Sequence, residues 1–333
     1  MAEVTPNMAV AFVEEVLRNY KDAKKNRSGI FTSYYGWSPI EGLATALYLL
    51  NEEARLAVIS SLWDGLLEAG VIERLAYFIT HYKSTPLPLQ RTIRLITERA
   101  VEDARSEDGW RRRASHEVLK LVAQLQEVPL DLLPEEVVAT KEVLEELAEN
   151  KSVPAEYIVK VLGRLEALPK GVAYYLAERR DMPPDVLRSI HGTYGNDSSV
   201  IIRLADNPST PPDVLEKIAE RERMYKDVHL RQSLAANPNT PPRFLDRYAF
   251  DDLLRVRKSA LSNPSLPAET ARKAYKLADR NRHRHDILTV LAENPSCPED
   301  ILMALVFDRS LRISSAARET LAKLGRLPTS GAA

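Results

Sequence analysis

A twelve-residue segment built around an Asn-Pro dipeptide recurs in the second half of the chain and constrains the fold more than any other feature. Clear copies occupy 204–215, 234–245, 260–271 and 291–302, and weaker copies occupy 147–158 and 176–187. Taken in chain order, the copies begin 29, 28, 30, 26 and 31 residues apart. A period of this length is typical of repeat proteins, whose units stack on one another. Because 307–318 matches 250–261, the array is predicted to end in a half-repeat.

Each repeat reads as two short helices joined by a corner. Proline disfavours the helical conformation of the residue before it, so the asparagine before each proline is predicted to end a helix. These asparagines are Asn207, Asn237, Asn263 and Asn294. Thr210 and Thr240 precede a second proline and are predicted to be N-caps of the next helix. Apolar residues follow at helical spacing, and a single unit cannot bury them alone, so the sequence predicts an all-α solenoid.

The Asn-Pro copies resemble the leucine-rich repeat variant family, whose repeat is close to V-A-x-N-P-x-T-P-x-x-x-L-x-x-L-A-x-D followed by a basic-apolar element. The resemblance covers about residues 147–320, a little over half of the chain. It implies a right-handed superhelix of α/α or α/3-10 helix pairs, allied to HEAT-like arrays. One member of the family has an iron–sulfur cluster before its repeats, but such a cluster needs several cysteines and Cys297 is the only one here. The resemblance therefore implies no cofactor.

Residues 1–145 show no clean repeat but read as helices throughout. The predicted helices are 8–20, 39–50, 52–67, 71–81, 87–104 and 109–126, separated by glycine, proline or polar breaks. Two interpretations stay open: degenerate repeats that continue the same superhelix, which we favour, or a separate helical domain. The predicted organisation is an N-terminal helical region at 1–145, a leucine-rich-repeat-variant solenoid at 146–327 and a flexible C-terminal tail at 328–333.

Composition excludes several classes of protein. Hydrophobic residues make up 44% and charged residues 28% of the 333 residues, as in globular rather than disordered chains. The longest apolar run is about eight residues, far below the ~20 of a transmembrane helix. The N-terminus lacks a basic region and a small-residue cleavage site, so a cytoplasmic protein is expected. Few glutamines, one cysteine and abundant Arg and Glu also hint at a thermophilic source.

The search for catalytic and metal-binding motifs is negative. The chain has no phosphate-binding glycine loop, nucleophile elbow or Cys-x-x-Cys pair. His283 and His285 are two residues apart and would point in different directions on a helix, so they predict a basic linker rather than a metal site. His191 is predicted to lie in a polar loop, 191–199, between two repeats. No catalytic residue, metal or cofactor is predicted, and the chain is expected not to be an enzyme.

Charge is unevenly distributed although the net charge is only −1. Residues 101–150 hold 6 basic and 13 acidic residues, whereas residues 253–290 hold 9 basic and 3 acidic residues. Stacking would align basic side chains near the first part of each repeat into a stripe. The candidates are Arg231, Arg255, Arg257, Lys258, Arg282, Arg284 and Arg312, with His229 at an equivalent place. This stripe could follow a phosphate backbone, or its arginines could pair with acids of the repeats such as Asp227, Asp251 or Asp308; pairing is favoured.

A second candidate binding segment mixes basic and aromatic residues near the N-terminus. Its candidate residues are Lys24, Lys25, Arg27, Tyr34, Tyr35 and Trp37. Aromatic residues make up only 7% of the chain, so this local density stands out. Interleaved aromatic and positive side chains suit stacking on bases or holding a peptide. The segment could instead fold back and plug the end of the superhelix, and both interpretations stay open.

These features predict a non-catalytic α-solenoid scaffold that presents a curved surface to another macromolecule, with a protein as the favoured partner. The alternative is a nucleic-acid-binding protein, or a subunit of a nucleoprotein complex, that uses the basic stripe. A repeat-based enzyme acting on nucleic acid has the least support. No membrane partner is expected, and the oligomeric state is left open.

Overall fold

The chain is all-α, as predicted. A computed structural model describes residues 4–25, 39–81, 89–225, 227–279 and 282–326. Within these ranges the chain forms twenty α-helices, one 3-10 helix (Leu130–Leu132) and no strand. Contacts between residues divide the chain into two compact units, Met1–Val172 and Ala173–Ala333. None of the described helices is both long and apolar enough to span a membrane.

The first compact unit stacks its helices in two layers. One layer consists of α1 (Pro6–Lys25), α3 (Glu52–Glu68) and α5 (Gln90–Ala104). The other consists of α2 (Pro39–Leu49), α4 (Val71–His81), α6 (Gly109–Ala123) and α8 (Lys141–Glu149). Two shorter helices, α7 (Glu135–Val138) and α9 (Ala155–Leu162), contact each other after the 3-10 helix. The packed helices bury aliphatic side chains such as Leu47, Val58 and Leu119 completely.

The six helices predicted in the first 145 residues are all present. α1 extends beyond the prediction at both ends, whereas α5 begins later and α6 ends earlier than predicted. α3 bends at Leu62, whose φ of −122° and ψ of 20° leave the helical region. The bend directly follows Ser60 and Ser61, and small polar residues of this kind are a common cause of helix kinks.

The second compact unit repeats one pair of helices. The helices before each corner, called the first helices, are α12 (Ser198–Asp206), α14 (Val228–Ala236), α16 (Leu254–Leu261) and α18 (Arg284–Glu293), with α20 (Leu311–Lys323) in the terminal half-repeat. The helices after a corner, called the second helices, are α11 (Pro184–Tyr194), α13 (Pro212–Tyr225), α15 (Pro242–Tyr248), α17 (Ala268–Ala278) and α19 (Glu299–Leu305). α10 (Lys170–Glu178) contains the boundary between the units. Each first helix contacts the next one, which is the α/α form of the predicted solenoid.

The corner asparagines tie neighbouring repeats together as well as marking the ends of helices. Asn237 follows α14 with an extended backbone, and its side-chain amide donates to the backbone oxygens of Ala205 and Asn207, both at 2.8 Å. Its Oδ1 accepts the backbone N–H of Asn239 at 3.0 Å. The same three bonds are made by Asn207, Asn263 and Asn294. Each corner is therefore a buried clip onto the preceding repeat.

Three further corners depart from this pattern, and two of them keep a bond to a backbone carbonyl about one repeat earlier. Asn150, in the weak copy 147–158, donates to two backbone carbonyls at 2.7 Å although lysine follows it instead of proline. In the copy 176–187 the slot holds Arg179, which is 3% exposed and pairs with Asp181 at 2.6 Å. Thr320 occupies the slot in the half-repeat and donates to one carbonyl of the preceding repeat at 2.7 Å. This bond places α20 at the position of a further first helix, in agreement with the match between 250–261 and 307–318.

The prediction that Thr210 and Thr240 cap the following helices is wrong. The hydroxyl of Thr240 donates to the backbone oxygen of Leu234 at 2.6 Å, across the corner, and Thr210 makes the equivalent bond. α15 instead has Pro241 at its N-cap position, with no side-chain hydrogen bond. The threonine slot faces the core, which explains why Cys297 in the same slot is buried.

The prediction of a polar loop at 191–199 is also wrong. α11 continues through His191 to Tyr194 and α12 begins at Ser198, so only 195–197 connect the two helices. Asp197 caps α12 by accepting the backbone N–H groups of Ser199 and Val200. Burial, with a smaller effect of Lys217, lowers the pKa of His191, so its imidazole is held neutral in the helix.

Candidate binding face on the first helices

The first helices of the second compact unit leave one side outside the repeat stack. Counting back from each corner asparagine, this side is formed by the eighth, fifth, fourth and first preceding residues. In α14 they are His229, Gln232, Ser233 and Ala236, and in α16 they are Arg255, Lys258, Ser259 and Ser262. We call this surface the first-helix face. Most of these positions in α12, α14, α16 and α20 are half-buried or exposed, whereas Ser233 of α14 and Thr289 and Val290 of α18 are buried. The accessible positions form a surface that the fold offers to a partner.

A groove of about 550 Å³ opens on the first-helix face beside α12 and α14. One wall carries Arg203, whose Nε donates to the hydroxyl of Tyr174 at 2.9 Å and whose guanidinium carbon lies 4.8 Å from the centroid of the tyrosine ring. The hydrogen bond to Tyr174 raises the pKa of Arg203. His229 and Gln232 line the groove from α14. The groove therefore combines a fixed cation–aromatic pair with imidazole and amide groups that form hydrogen bonds.

Two arginines of the predicted basic stripe pair with acids of the repeats themselves. Arg231 lies 2.6 Å from Asp251, whose side chain is 8% exposed. Arg284 lies 2.7 Å from Asp279 and 2.8 Å from Asp308. The hydrogen bond to Asp279 raises the pKa of Arg284 most, and the hydrogen bond to Asp308 raises it further. The charges of these two arginines are therefore largely neutralised by carboxylates of the same chain.

The remaining stripe residues on the first-helix face do not form a continuous basic column. Lys258 lies 3.5 Å from Asp286 of the next first helix. Arg255 and Arg312 are exposed at equivalent positions of α16 and α20. From α12 to α20, this column reads Ser199, His229, Arg255, Asp286 and Arg312. The positive charge is interrupted at α18, between the two exposed arginines.

Two further stripe residues are Arg257 of α16 and Arg282, which lies between α17 and α18. Arg257 is half-buried, and its Nε has no hydrogen-bond partner within the described part of the chain. Arg282 is exposed, and its Nε donates to Nε2 of His283 at 3.0 Å. Asp227, the third acid considered as a partner, caps α14 by accepting the backbone N–H of His229 at 2.7 Å. Some basic residues of the stripe are therefore paired with carboxylates and others are not, and Asp227 acts as a helix cap.

The N-terminal candidates stay a prediction. The backbone of Lys24 and Lys25 forms the end of α1. Their side chains, and the whole of Arg27, Tyr34, Tyr35 and Trp37, lie outside the described residues.

Tyr174 and Arg203, which form one wall of the groove, are not among the residues predicted from the sequence. Arg203 is the fourth residue before Asn207, and Tyr174 is the fifth residue before Arg179, which occupies the previous corner slot. The two residues are separated by one repeat, so their contact becomes visible only when the repeats are aligned by their corners. Reading these positions as columns would have indicated both residues.

The described residues offer no metal site and no activated thiol. No group of three or more His, Cys, Asp and Glu side chains within the described ranges could hold a metal ion. Burial raises the pKa of Cys297 to about 12, which keeps the thiol protonated near neutral pH. In the first compact unit, a groove of about 520 Å³ is lined by charges that pair with one another, such as Arg111 with Asp64 and Asp103.

Comparison with known proteins finds likenesses among solved structures only. No protein-family model matches the chain, and no curated protein matches it. The chain is similar to the crystal structure of an engineered protein from the Northeast Structural Genomics Consortium. The TM-score is 0.45 and the identity 15%, over 86% of this chain and 98% of the other.

Proposed function

We propose that this protein is a non-catalytic binding scaffold of the leucine-rich repeat variant type, and that the first-helix face receives another protein. The observation that carries the proposal is the open groove between the Tyr174–Arg203 pair and α14. The side chains that line this groove take no part in the hydrogen bonds of the corner asparagines, which hold the repeats together. Stacked repeats with such a face are suited to binding extended surfaces of other macromolecules.

The composition of the groove favours a protein partner. Tyrosine and arginine are the residues that most often dominate the energy of protein interfaces, and Tyr174 and Arg203 are fixed against each other before any partner binds. Gln232 and His229 add hydrogen-bonding groups at the opposite wall. Nucleic acid has less support, because Arg231 and Arg284 of the predicted basic stripe are paired with carboxylates of the repeats and the positive charge on the first-helix face is interrupted at Asp286. The proposal includes no catalytic step.

Site-specific photo-crosslinking in cells of the native host tests the proposal. A photoreactive amino acid at Gln232, in the groove, is expected to capture a discrete protein. The matched control places the same amino acid at Lys217, an exposed residue of the second helix α13. The substitution Tyr174→Ala, which removes one wall of the groove, should reduce the capture from Gln232. Equal capture from both positions, or capture that Tyr174→Ala leaves unchanged, would contradict the proposal.

Nucleic-acid binding is tested separately by fluorescence anisotropy with labelled single- and double-stranded DNA and RNA. The titrations are made at low and at near-physiological salt, because phosphate contacts weaken steeply as salt rises. Binding that weakens steeply as salt rises would support the nucleic-acid alternative if it is also lost in a variant with reversed charges at Arg255, Arg257 and Lys258. Absence of binding even at low salt would remove it.

A further inference from the structure

A groove of about 380 Å³ opens in the first compact unit, where it is lined by residues of α4, α6 and α8. On the α4 side, Tyr77 is 37% exposed, and its ring stacks on His81 with 4.0 Å between the ring centroids. Arg74 lies 5.5 Å from the centroid of the same ring and pairs with Glu41 at 2.6 Å. Leu121 of α6 is half-buried and lines the groove from the other side. The groove therefore offers aromatic and apolar surface against which an aliphatic side-chain stem can pack.

The side of α8 that reaches this groove carries only glutamates. Counting back from Asn150, which occupies a corner slot, the eighth, fifth, fourth and first preceding residues are Glu142, Glu145, Glu146 and Glu149. Because these residues are spaced three or four apart, they lie on one side of the helix. Glu146 lines the groove, and Glu142 and Glu149 are exposed. We call these four residues the acidic face.

The negative charge of the acidic face is not neutralised within the described part of the chain. No ion pair among the described residues includes any of its four glutamates. Lys120 of α6 pairs with Glu117 at 2.9 Å, and this hydrogen bond raises the pKa of Lys120 most, with smaller effects of Glu146 and Glu142. One cation is therefore shared among three carboxylates.

The acidic face is unfavourable for α8 itself. Like charges three or four residues apart on a helix repel each other, and both Glu142 and Glu149 stand at such a distance from Glu145 and Glu146. Glu149 is also the last residue of α8, where the helix dipole disfavours a negative charge. Cations beside these glutamates would relieve both effects. A positively charged partner would therefore recover stability that the helix lacks on its own.

The spacing of the glutamates fits an extended peptide better than a metal ion. No group of three or more His, Cys, Asp and Glu side chains in the described ranges could hold a metal ion, so these carboxylates do not converge on one point. Glu142, Glu146 and Glu149 instead follow one another at about 4.5–6 Å along the helix axis. Side chains on one face of an extended peptide repeat every ~6.6 Å, and long lysine side chains span the difference. A nucleic acid would be repelled by the same charges.

We propose that the acidic face and its groove bind an extended segment of another protein, rich in lysine or arginine. Alternate basic side chains of the segment lie beside Glu142, Glu146 and Glu149. The stem of the side chain at Glu146 packs against Leu121 and Tyr77 in the groove. This surface belongs to the first compact unit alone, so it is a second interaction site that does not depend on the first-helix face.

Fluorescence anisotropy of the full-length protein tests the inference with a defined probe. The probe is a fluorescein-labelled peptide of twelve residues in which lysine alternates with serine, and it should bind saturably at low salt. The double variant Glu142→Gln/Glu146→Gln should weaken binding about tenfold or more, because two charge-assisted contacts are lost. The matched control is Glu98→Gln/Glu156→Gln, which removes exposed glutamates of α5 and α9. It changes the net charge equally and should bind like the parent protein.

Thermal unfolding followed by circular dichroism accompanies the titrations. The variant Glu142→Gln/Glu146→Gln should unfold at the same temperature as the parent protein or higher, because it removes repulsion within α8. Weaker binding then reflects the lost carboxylates and not a loss of folded protein. A clearly lower unfolding temperature would show that these glutamates serve the fold and would reject their role in binding.

Three binding results would overturn the inference. A peptide with glutamine in place of every lysine should not bind, so equal binding of that peptide excludes recognition of cations. Equal affinities in the two double variants would show that the acidic face is not the site. Spermine that displaces the peptide at equal concentration would replace the protein segment by a free polyamine. If Gln232 captures a protein in the crosslinking experiment but the lysine peptide fails to bind, the proposed function stands and the basic segment is rejected.

Discussion

At the scale of single residues, the corner asparagine does more than its position before proline requires. Any residue before proline tends to leave the helical region, so the helix end needs no particular side chain. Asparagine alone offers two N–H donors and one acceptor on a short side chain, and Asn237 uses all three. Its donors reach backbone carbonyls about one repeat away along the chain. The asparagine is therefore selected by contacts between repeats.

We predict that Asn237→Ala lowers the free energy of unfolding by about 3 kcal/mol, because three buried hydrogen bonds are lost at about 1 kcal/mol each. Urea unfolding followed by circular dichroism measures this change. Asn196→Ala is the matched control: Asn196 is exposed, and among the described residues its Oδ1 accepts one hydrogen bond, from Arg221, so the effect should stay within about 0.5 kcal/mol. Equal effects of the two substitutions would show that the clip adds no stability.

Cys297 gives a second prediction at this scale. Burial raises the pKa of Cys297 to about 12 from its ordinary value of 9.0, so the folded state favours the protonated thiol. This contribution to stability is complete below about pH 9 and is lost as the pH rises from about 9 towards 12. A disulfide-exchange reagent at pH 8 should therefore react with Cys297 only after unfolding. Rapid reaction of the native protein would contradict the buried position of the thiol.

The sequence predicted the residues of the corner but not their bonds. Asn207, Asn237, Asn263 and Asn294 could be recognised from their proline neighbours, a purely local rule. The clip joins atoms about 30 residues apart, and no local rule indicates it. The threonine capping prediction failed for the same reason, because the hydroxyl of Thr240 bonds back across the corner instead of forward into the next helix.

At the scale of helices, the same segment occurs in two environments. In 250–261, Phe250 is half-buried and Lys273 lies 4.5 Å from the centroid of its ring. In the matching segment 307–318, Phe307 and Leu311 are each 82% exposed, because no described helix follows α20. One sequence pattern thus contributes differently to stability according to whether a further repeat covers it.

We predict that Phe250→Ser costs more than about 1.5 kcal/mol of unfolding free energy, whereas Phe307→Ser changes it by less than about 0.5 kcal/mol. The first substitution removes packing and the contact with Lys273, and the second removes a ring that is already in water. Thermal and urea unfolding of the two variants provide the measurement. A large loss in Phe307→Ser would mean that this ring is covered in solution, and size-exclusion chromatography with light scattering would then identify any self-association.

Helix boundaries were predictable to different degrees. α4 matches its prediction at both ends because apolar periodicity and flanking breaks coincide there. The glycines and polar residues after His191 predict a loop, yet α11 runs through Gly192 to Tyr194. The cost of one glycine in a helix, about 1 kcal/mol, is smaller than the gain from burying Leu187 and Ile190 on the same helix.

At the scale of the whole molecule, the charge pattern of the sequence indicated a basic stripe but not its neutralisation. Pairing of Arg231 with Asp251 and of Arg284 with Asp308 joins residues 20 and 24 positions apart, whose proximity depends on the stacking of repeats. The groove beside Tyr174 arises in the same way. The sequence therefore predicted the class of fold and the region of interest, while the usable side chains became apparent only from the stacked helices.

The last prediction concerns how the second compact unit opens. In a linear array each repeat is held mainly by its neighbours, so loosening a terminal junction should open the end while leaving distant repeats folded. Asn294 clips the terminal repeat to the carbonyls of Leu261 and Asn263. We predict that Asn294→Ala speeds amide hydrogen exchange in α19 and α20 by tenfold or more, since a loss of about 1.4 kcal/mol changes the opening equilibrium tenfold.

Hydrogen exchange followed by mass spectrometry resolves the two ends of the unit. In Asn294→Ala, the peptides of α12 and α13 should exchange at the same rate as in the parent protein. In Asn207→Ala, which removes the clip onto Ala177, the peptides of α12 and α13 should be the first to exchange faster. A uniform increase over α12 to α20 in both variants would contradict a neighbour-by-neighbour array. The second compact unit would then open as one cooperative body, and the first-helix face would be present or absent as a whole.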